Sequence, residues 1–290
     1  MANLKEIRNR ISSVSSTKQI TSAMKMVSAA KLRKSQGAIV QLRPYSQLMN
    51  AIVCRLTDSN IEDITYLKAK KVEKKVLLIS LTSNKGLCST FNSSIIRLTK
   101  QRIDQYLSEG KEVCLQSFGK KGDSAFKHIQ GINYLGSNDE VWEDLNFENI
   151  SLFADNILQE YVKGVYDRVE IIYNQFKNAA VQEPQADSFL PFDLTAIKST
   201  DKSINNNYIF EPNKTEILQN IIPLFLHTKM YRCFLDSFTS EHGARMSSMN
   251  KATDNAQELL SDLTLTYNKL RQASITNEII EICSGANALS

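Results

Sequence analysis

From Leu224 to Asn287 the sequence holds no proline, and its only glycine before Gly285 is Gly243. Glycine and proline are the residues that end helices, so so long a stretch without them reads as one helix. Met249, Ala252, Ala256, Leu260, Leu263, Tyr267, Leu270 and Ser274 step along it by three and four, the spacing of one helix face. At ~1.5 Å per residue such a helix runs roughly 90 Å or more, beyond the diameter of any domain the middle of the chain can build. The other end repeats the pattern. Leu4, Ile7, Ile11 and Val14 form a coiled-coil stripe; it drifts to Ile20, Met24 and Val27 and resumes as Ala38, Leu42, Tyr45, Leu48, Ile52 and Leu56. Pro44 interrupts the hydrogen bonding but not the spacing, which predicts a kink and not an end. Neither helix can cover its stripe on a small domain alone. Pairing the two, antiparallel, as a projecting coiled coil is the economical solution. Its seam is unusual: Ser12, Ser13, Ser15, Ser16, Thr17, Thr21, Ser22 and Ser28 crowd the first helix, where a coil built for stability carries Leu and Ile.

The middle of the chain has a different period. Val76–Leu81 is a short apolar run, a buried-strand signal; Glu112–Phe118 and Val169–Phe176 read as further strands, and Val181–Leu190 is a fourth candidate pairing with the third. Between them, Phe91–Leu107 and Phe147–Val162 have helical spacing. Gly110 and Gly164 mark their ends and Asn146 is a candidate cap. Alternating strands and helices predict a small α/β, Rossmann-like domain with a largely parallel sheet. The expected organisation is therefore a coil helix over 1–58, the α/β domain over 74–195 and a second coil helix over 208–290. Pro212 stands at a plausible first position of the last helix, and Pro223 predicts a kink or break in it.

Charge is uneven although the net value is only +4. Residues 1–36 carry eight Lys and Arg against Glu6 alone, a local +7. A basic helix of this kind suits a solvated face, a nucleic acid or an acidic protein surface. The five cysteines (Cys54, Cys88, Cys114, Cys233, Cys283) are odd in number and widely spaced, which argues against a disulfide framework or zinc site and for a reducing compartment. Met1 leads straight into charged residues, so no signal peptide is expected. The longest apolar cluster, Ile221–Leu226, is far too short to span a bilayer, and membrane association must run through partners.

Catalytic constellations are not visible. Gly119-Lys120-Lys121-Gly122-Asp123-Ser124 lacks phosphate-loop spacing and reads as a solvated loop. His128, His227 and His242 are far apart, each a surface or helix-lining residue, and no metal spacing exists. Glu278 and Glu281 share a helix face, where a solvated or partner-facing role is commoner than acid–base work. No catalytic residue, cofactor site or metal site is assigned.

Two motifs carry a family resemblance. The ending Ile275-Thr276-Asn277-Glu278 to Gly285-Ala286 resembles the C-terminal signature of the gamma subunit of F-type ATP synthase, with Ile-Thr, then Glu, then an acid, then Gly-Ala at fixed spacing. Thr17–Val27 and Lys31–Gln36 resemble the first long helix of that subunit. Ser83–Asn92 is similar to a family segment, usually Ser-Asp-Arg-Gly-Leu-Cys-Gly-Gly-x-Asn, with Asn84, Lys85, Ser89 and Thr90 as departures. The resemblance implies the central rotor shaft of a proton-translocating, bacterial-type ATP synthase. It couples rotation of the membrane c-ring to conformational change in the catalytic beta subunits and does no bond chemistry itself. Implied partners are the alpha and beta subunits of the hexameric head, the epsilon subunit and the c-ring. The implied location is the cytoplasmic face of the bacterial inner membrane, held there peripherally through the complex. Carried over by motif match, Arg271, Gln272, Thr276 and Glu278 hydrogen-bond a loop of beta. Arg245 and Met24 lie near the acidic lever loop of beta, with Lys25 standing where some relatives have an acid. Tyr208 and Glu211 fall near the foot that meets the c-ring and epsilon. No insert of the chloroplast redox switch is present.

The alternative from charge alone is a nucleic-acid-binding coiled-coil protein, which predicts steep salt dependence; against it, residues 1–36 hold no aromatic side chain for base stacking. A nucleotide-dependent enzyme based on the middle domain is a third class, opposed by the missing phosphate loop.

Overall fold

The structure, a computed structural model, describes residues 4–56, 73–179, 181–192 and 214–289. Helices α1 (Leu4–Leu56, 53 residues) and α5 (Lys214–Leu289, 76 residues) bracket the chain. α1 passes through Pro44, as its spacing predicts, and α5 also passes through Pro223. Pro212 lies outside the described residues. Two compact units divide the chain, one from residues 1–29 with 245–290 and one from 30–244, so each long helix contributes to both.

The 30–244 unit is built on β1 (Lys75–Leu81), β2 (Glu112–Phe118), β3 (Asn133–Ser137), β4 (Arg168–Phe176) and β5 (Gln182–Leu190), with α2 (Phe91–Ser108), α3 (Lys120–Phe126) and α4 (Phe147–Val162) between them. The sheet order is β3-β2-β1-β4-β5, parallel except for the antiparallel β4–β5 pair. The apolar run in β1 is continuous because both of its faces are covered. Val76 and Leu78 point into one cluster with Ile95, Ile103 and Tyr106 of α2. Leu77, Ile79 and Leu81 point into the other, with α4, with Met49 and Val53 of α1 and with the Leu218–Phe234 part of α5. Each fully buried Leu or Ile in these clusters contributes about 1.5–3 kcal/mol. The Asn146 side chain caps α4 by accepting from the Asn149 amide at 3.0 Å. Gly110 and Gly164 follow α2 and α4 with φ of 73° and 79°, the left-handed geometry that terminates a helix.

Gly119–Ser124 is not a solvated loop. Gly119 leads into α3, and Gly122 is buried with its amide donating to Thr82 Oγ1 at 2.8 Å. The two glycines are required by close approach: a Cβ on Gly119 would meet the Thr82 carbonyl oxygen at 2.3 Å, and one on Gly122 would meet Thr82 Oγ1 at 2.7 Å.

In the other unit, the two helices run antiparallel. The Lys18 ammonium donates to Gln257 Oε1, the Thr21 and Thr253 hydroxyls lie 2.9 Å apart, and the Lys25 ammonium donates to Asn250 Oδ1. Ile7 is buried, Leu4, Ile11 and Val14 are half-buried, and the line continues through Lys18, Thr21, Lys25 and Ser28. Ile20 and Val27, expected on the stripe, are instead about 60% exposed. Hydroxyls hold the seam because each one is satisfied inside its own helix: Ser28 donates to the Met24 carbonyl at 2.8 Å and Thr21 to the Lys18 carbonyl at 3.0 Å. In the 30–244 unit the same three-and-four stepping runs through Leu32, Ser35, Ile39, Leu42, Ser46, Met49 and Val53, while Tyr45 and Leu48 are exposed. The heptad line of α1 is thus unbroken, and the apparent drift in the sequence is the passage of the seam through polar residues.

Candidate functional site

Every candidate site residue that the structure describes falls in the helical-pair unit, and the pairing register decides its environment. With Lys18 opposite Gln257 and Lys25 opposite Asn250, the first described residue of α1, Leu4, falls level with Arg271. On α5, Leu260, Leu263, Tyr267, Leu270 and Ser274 are half-buried along the seam. From Ile275 to Asn287 every residue is exposed. Continuing the seam would place Asn277, Glu281 and Ser284 against a partner helix, and all are polar. The apolar residues of this stretch lie off that line: Ile275, Ile279, Ile280 and Ile282 are 48%, 55%, 56% and 71% exposed. The end of α5 is therefore a helix whose apolar groups have no cover within the unit.

Arg271, Gln272, Thr276 and Glu278 stand at the start of this stretch, all exposed. Arg271 and Glu278 are two turns apart on one face, flanked by Ile275 and Ile282; Gln272 and Thr276 are one turn apart on the neighbouring face. The Thr276 hydroxyl donates to the Gln272 backbone carbonyl at 2.9 Å, and the Gln272 residue is exposed. Glu278 Oε1 lies 3.4 Å from the Ser274 hydroxyl. A guanidinium fork, a carboxamide and a carboxylate on two turns offer donors and acceptors together.

The other candidates sit lower on the pair. Met24 and Lys25 are half-buried, and Lys25 is a seam residue. Arg245 is 6% exposed, a depth its motif did not signal. Tyr208 and Glu211 lie outside the described residues. Among the histidines, His227 bonds Asp155 of α4 at 2.7 Å and His242 is buried edge-on to Phe238, while His128 is exposed. Among the described residues no group of three His, Cys, Asp or Glu could hold a metal ion. No helix among them is long and apolar enough to cross a membrane. The isoleucines after Ser274 lie in the segment that carries the family motif but drew no site role from the sequence; the structure shows them exposed beyond the level of Leu4, the first described residue of α1.

An antiparallel helical pair continuous with a five-stranded α/β unit, ending in an uncovered amphipathic helix, defines a coiled-coil subunit made to be held by other chains. The family model described as ATP synthase matches residues 3–289. The ATP synthase gamma chain of Flavobacterium johnsoniae is 50% identical over 292 residues, covering 100% of both chains. A chain in the solved central stalk and c-ring of Tetrahymena thermophila mitochondrial ATP synthase is 25% identical, with a TM-score of 0.57 over 80% of this chain and 99% of that one. A chain of the Euglena gracilis mitochondrial ATP synthase in rotational state 3 shares the fold, at 20% identity and a TM-score of 0.65 over 99% of this chain and 94% of its own.

The chain belongs to the ATP synthase gamma-chain family. Its function is that of the central rotor shaft, a non-catalytic subunit of the synthase, associated with the membrane through that complex. These similarities give no support to the nucleic-acid reading of the basic helix.

Proposed function

We propose that the shaft is gripped at the end of α5, where the catalytic beta subunits of an alpha–beta head close around the uncovered isoleucines and bond Arg271, Gln272, Thr276 and Glu278. The observation that carries this is the run of exposure from Ile275 to Asn287, beyond the level of Leu4, the first described residue of the antiparallel partner helix. Four large apolar side chains on one free helix are a surface that protein partners cover. The polar group beside them supplies direction to the grip.

A second belt at Met24, Lys25 and Arg245 meets the acidic lever loop of beta. Lys25 donates to a neutral amide oxygen, so its positive charge remains available to an acidic loop. The basic face of residues 1–36 is then the counterpart of that acid. The α/β unit serves as the foot. It meets the epsilon subunit and the c-ring through the region of Tyr208 and Glu211, on the cytoplasmic face of the bacterial inner membrane, and proton-driven rotation of the ring turns it. The shaft acts by making different contacts with three copies of beta, which is what shifting their conformational populations requires.

Arg271→Ala with Gln272→Ala tests the grip. Both residues are exposed, so the free chain should melt within about 0.5 kcal/mol of the parent. Loss of charge-assisted hydrogen bonds to a partner costs on the order of 1.5–3 kcal/mol each, and ATPase turnover of the reconstituted head should fall by about tenfold or more. A sharp fall in melting with normal turnover per assembled complex would make these residues structural and remove the proposal.

A further inference from the structure

A cavity of about 450 Å³ opens in the 30–244 unit at the carboxyl end of β4, lined by α1, by Gln175–Lys177 and by α5. Its volume is in the range of small-molecule sites, roughly 300–1,000 Å³. Like the ligand sites of open α/β sheets, it lies beyond the carboxyl end of a strand, although no residue of β1 lines it.

The lining combines two chemistries. Ile39 and Leu42 of α1 and the ring of Phe176 give an apolar floor. Arg43, Arg232 and Asp236 give charge at its side. Asp236 is 6% exposed, and Arg232 Nε lies 3.8 Å from its Oδ2. Burial holds the Asp236 carboxyl up at about 6, opposed by Arg232 and Arg43 and reinforced by Asp187. Lys177, at the rim, is engaged by Glu183 at 2.7 Å. Among the charged side chains of the lining, two guanidinium groups therefore accompany one carboxylate, whose neutral form burial favours. One guanidinium is left over beside a flat aromatic surface.

We propose that this cavity binds a small organic anion in which a flat apolar body carries one phosphate or carboxylate group. The body lies on Phe176, Ile39 and Leu42, and the anionic group takes the planar donor forks of Arg43 and Arg232. The site is independent of the α5 end and does not rest on the shaft's grip.

Equilibrium dialysis of the full chain against 2-naphthyl phosphate, 2-naphthoate, the uncharged 2-naphthol and inorganic phosphate tests it. At least one of the two naphthyl anions should bind tighter than about 1 mM, with 2-naphthol and inorganic phosphate at least tenfold weaker. The two anions separate phosphate from carboxylate as the preferred group. Arg43→Ala and Arg232→Gln should each weaken binding about tenfold. Arg43 is exposed, so Arg43→Ala decides the matter if Arg232→Gln melts early. Binding of neither anion, equal binding of 2-naphthol, or full affinity in Arg43→Ala overturns the proposal.

Discussion

Ser89 adopts φ of 52° and Leu87 φ of 62°, left-handed conformations in the turn between β1 and α2. The family segment that this turn resembles has glycine where this chain has Ser89, and glycine alone enters that region without a steric cost. The turn keeps its shape because it is bonded from several sides: the Ser83 amide donates to Asn92 Oδ1, the Asn92 side-chain amide donates to Ser83 Oγ at 2.9 Å, and Ser83 Oγ donates to the Lys85 carbonyl at 2.7 Å. Ser89→Gly should therefore stabilise the unit by about 0.5–1 kcal/mol, the strain relieved exceeding the added chain entropy. Gly119→Ala is the opposite case. Its φ of 100° and the 2.3 Å approach to the Thr82 carbonyl leave a methyl group no space, and a loss of about 2–4 kcal/mol is expected. Thermal melting of both variants checks the pair; a stable Gly119→Ala or a destabilised Ser89→Gly contradicts this account of the turn.

At the scale of elements, β1 was legible because it is buried on both faces and reads as a nearly continuous apolar run, and β2 and β4 were legible from their short apolar and β-branched stretches despite buried Ser117, Glu170 and Asn174. β3 and α3 were not. β3, Asn133–Ser137, is a half-exposed edge with Gly136 inside it, so neither alternation nor an apolar run marks it. α3 is seven residues long and contains Gly122, which local propensity reads as loop; what keeps it helical is packing of Gly122 against Thr82 and Ser117 and full burial of Phe126. The coil was legible as a pair but not in its seam. Ser28, Ser35 and Ser46 occupy buried positions, so a search for apolar residues alone slid by one position onto Tyr45 and Leu48. The register itself gives a test. With their hydroxyls 2.9 Å apart, positions 21 and 253 are within disulfide reach, for which Cα atoms must lie within about 7 Å. Thr21→Cys with Thr253→Cys should crosslink on oxidation, while Thr21→Cys with Leu260→Cys, two turns further along α5, should not. The reverse preference, read by gel mobility under non-reducing conditions, would shift the register and with it the place where α5 outruns α1.

For the whole molecule, the family was legible from the two ends of the chain, and the structure adds a physical reason that one of those ends matters. Arg271, Gln272, Thr276 and Glu278 were given a partner-facing role by motif; the isoleucines among and after them, though within the same signature segment, were given none. Only the antiparallel register shows that no core is available to them. Arg245 went the other way, a motif residue that proves to be buried. The central claim is that this chain turns inside its partners and transmits torque between them. The most direct measurement is made on a surface-tethered head of alpha and beta subunits reconstituted with this chain, with a bead fixed to a cysteine placed on its α/β unit, at exposed Lys127. On adding ATP the bead should rotate stepwise in one direction, and the Arg271→Ala, Gln272→Ala variant should rotate with reduced torque or stall. A bead that stays fixed while the head hydrolyses ATP at its full rate would contradict the account.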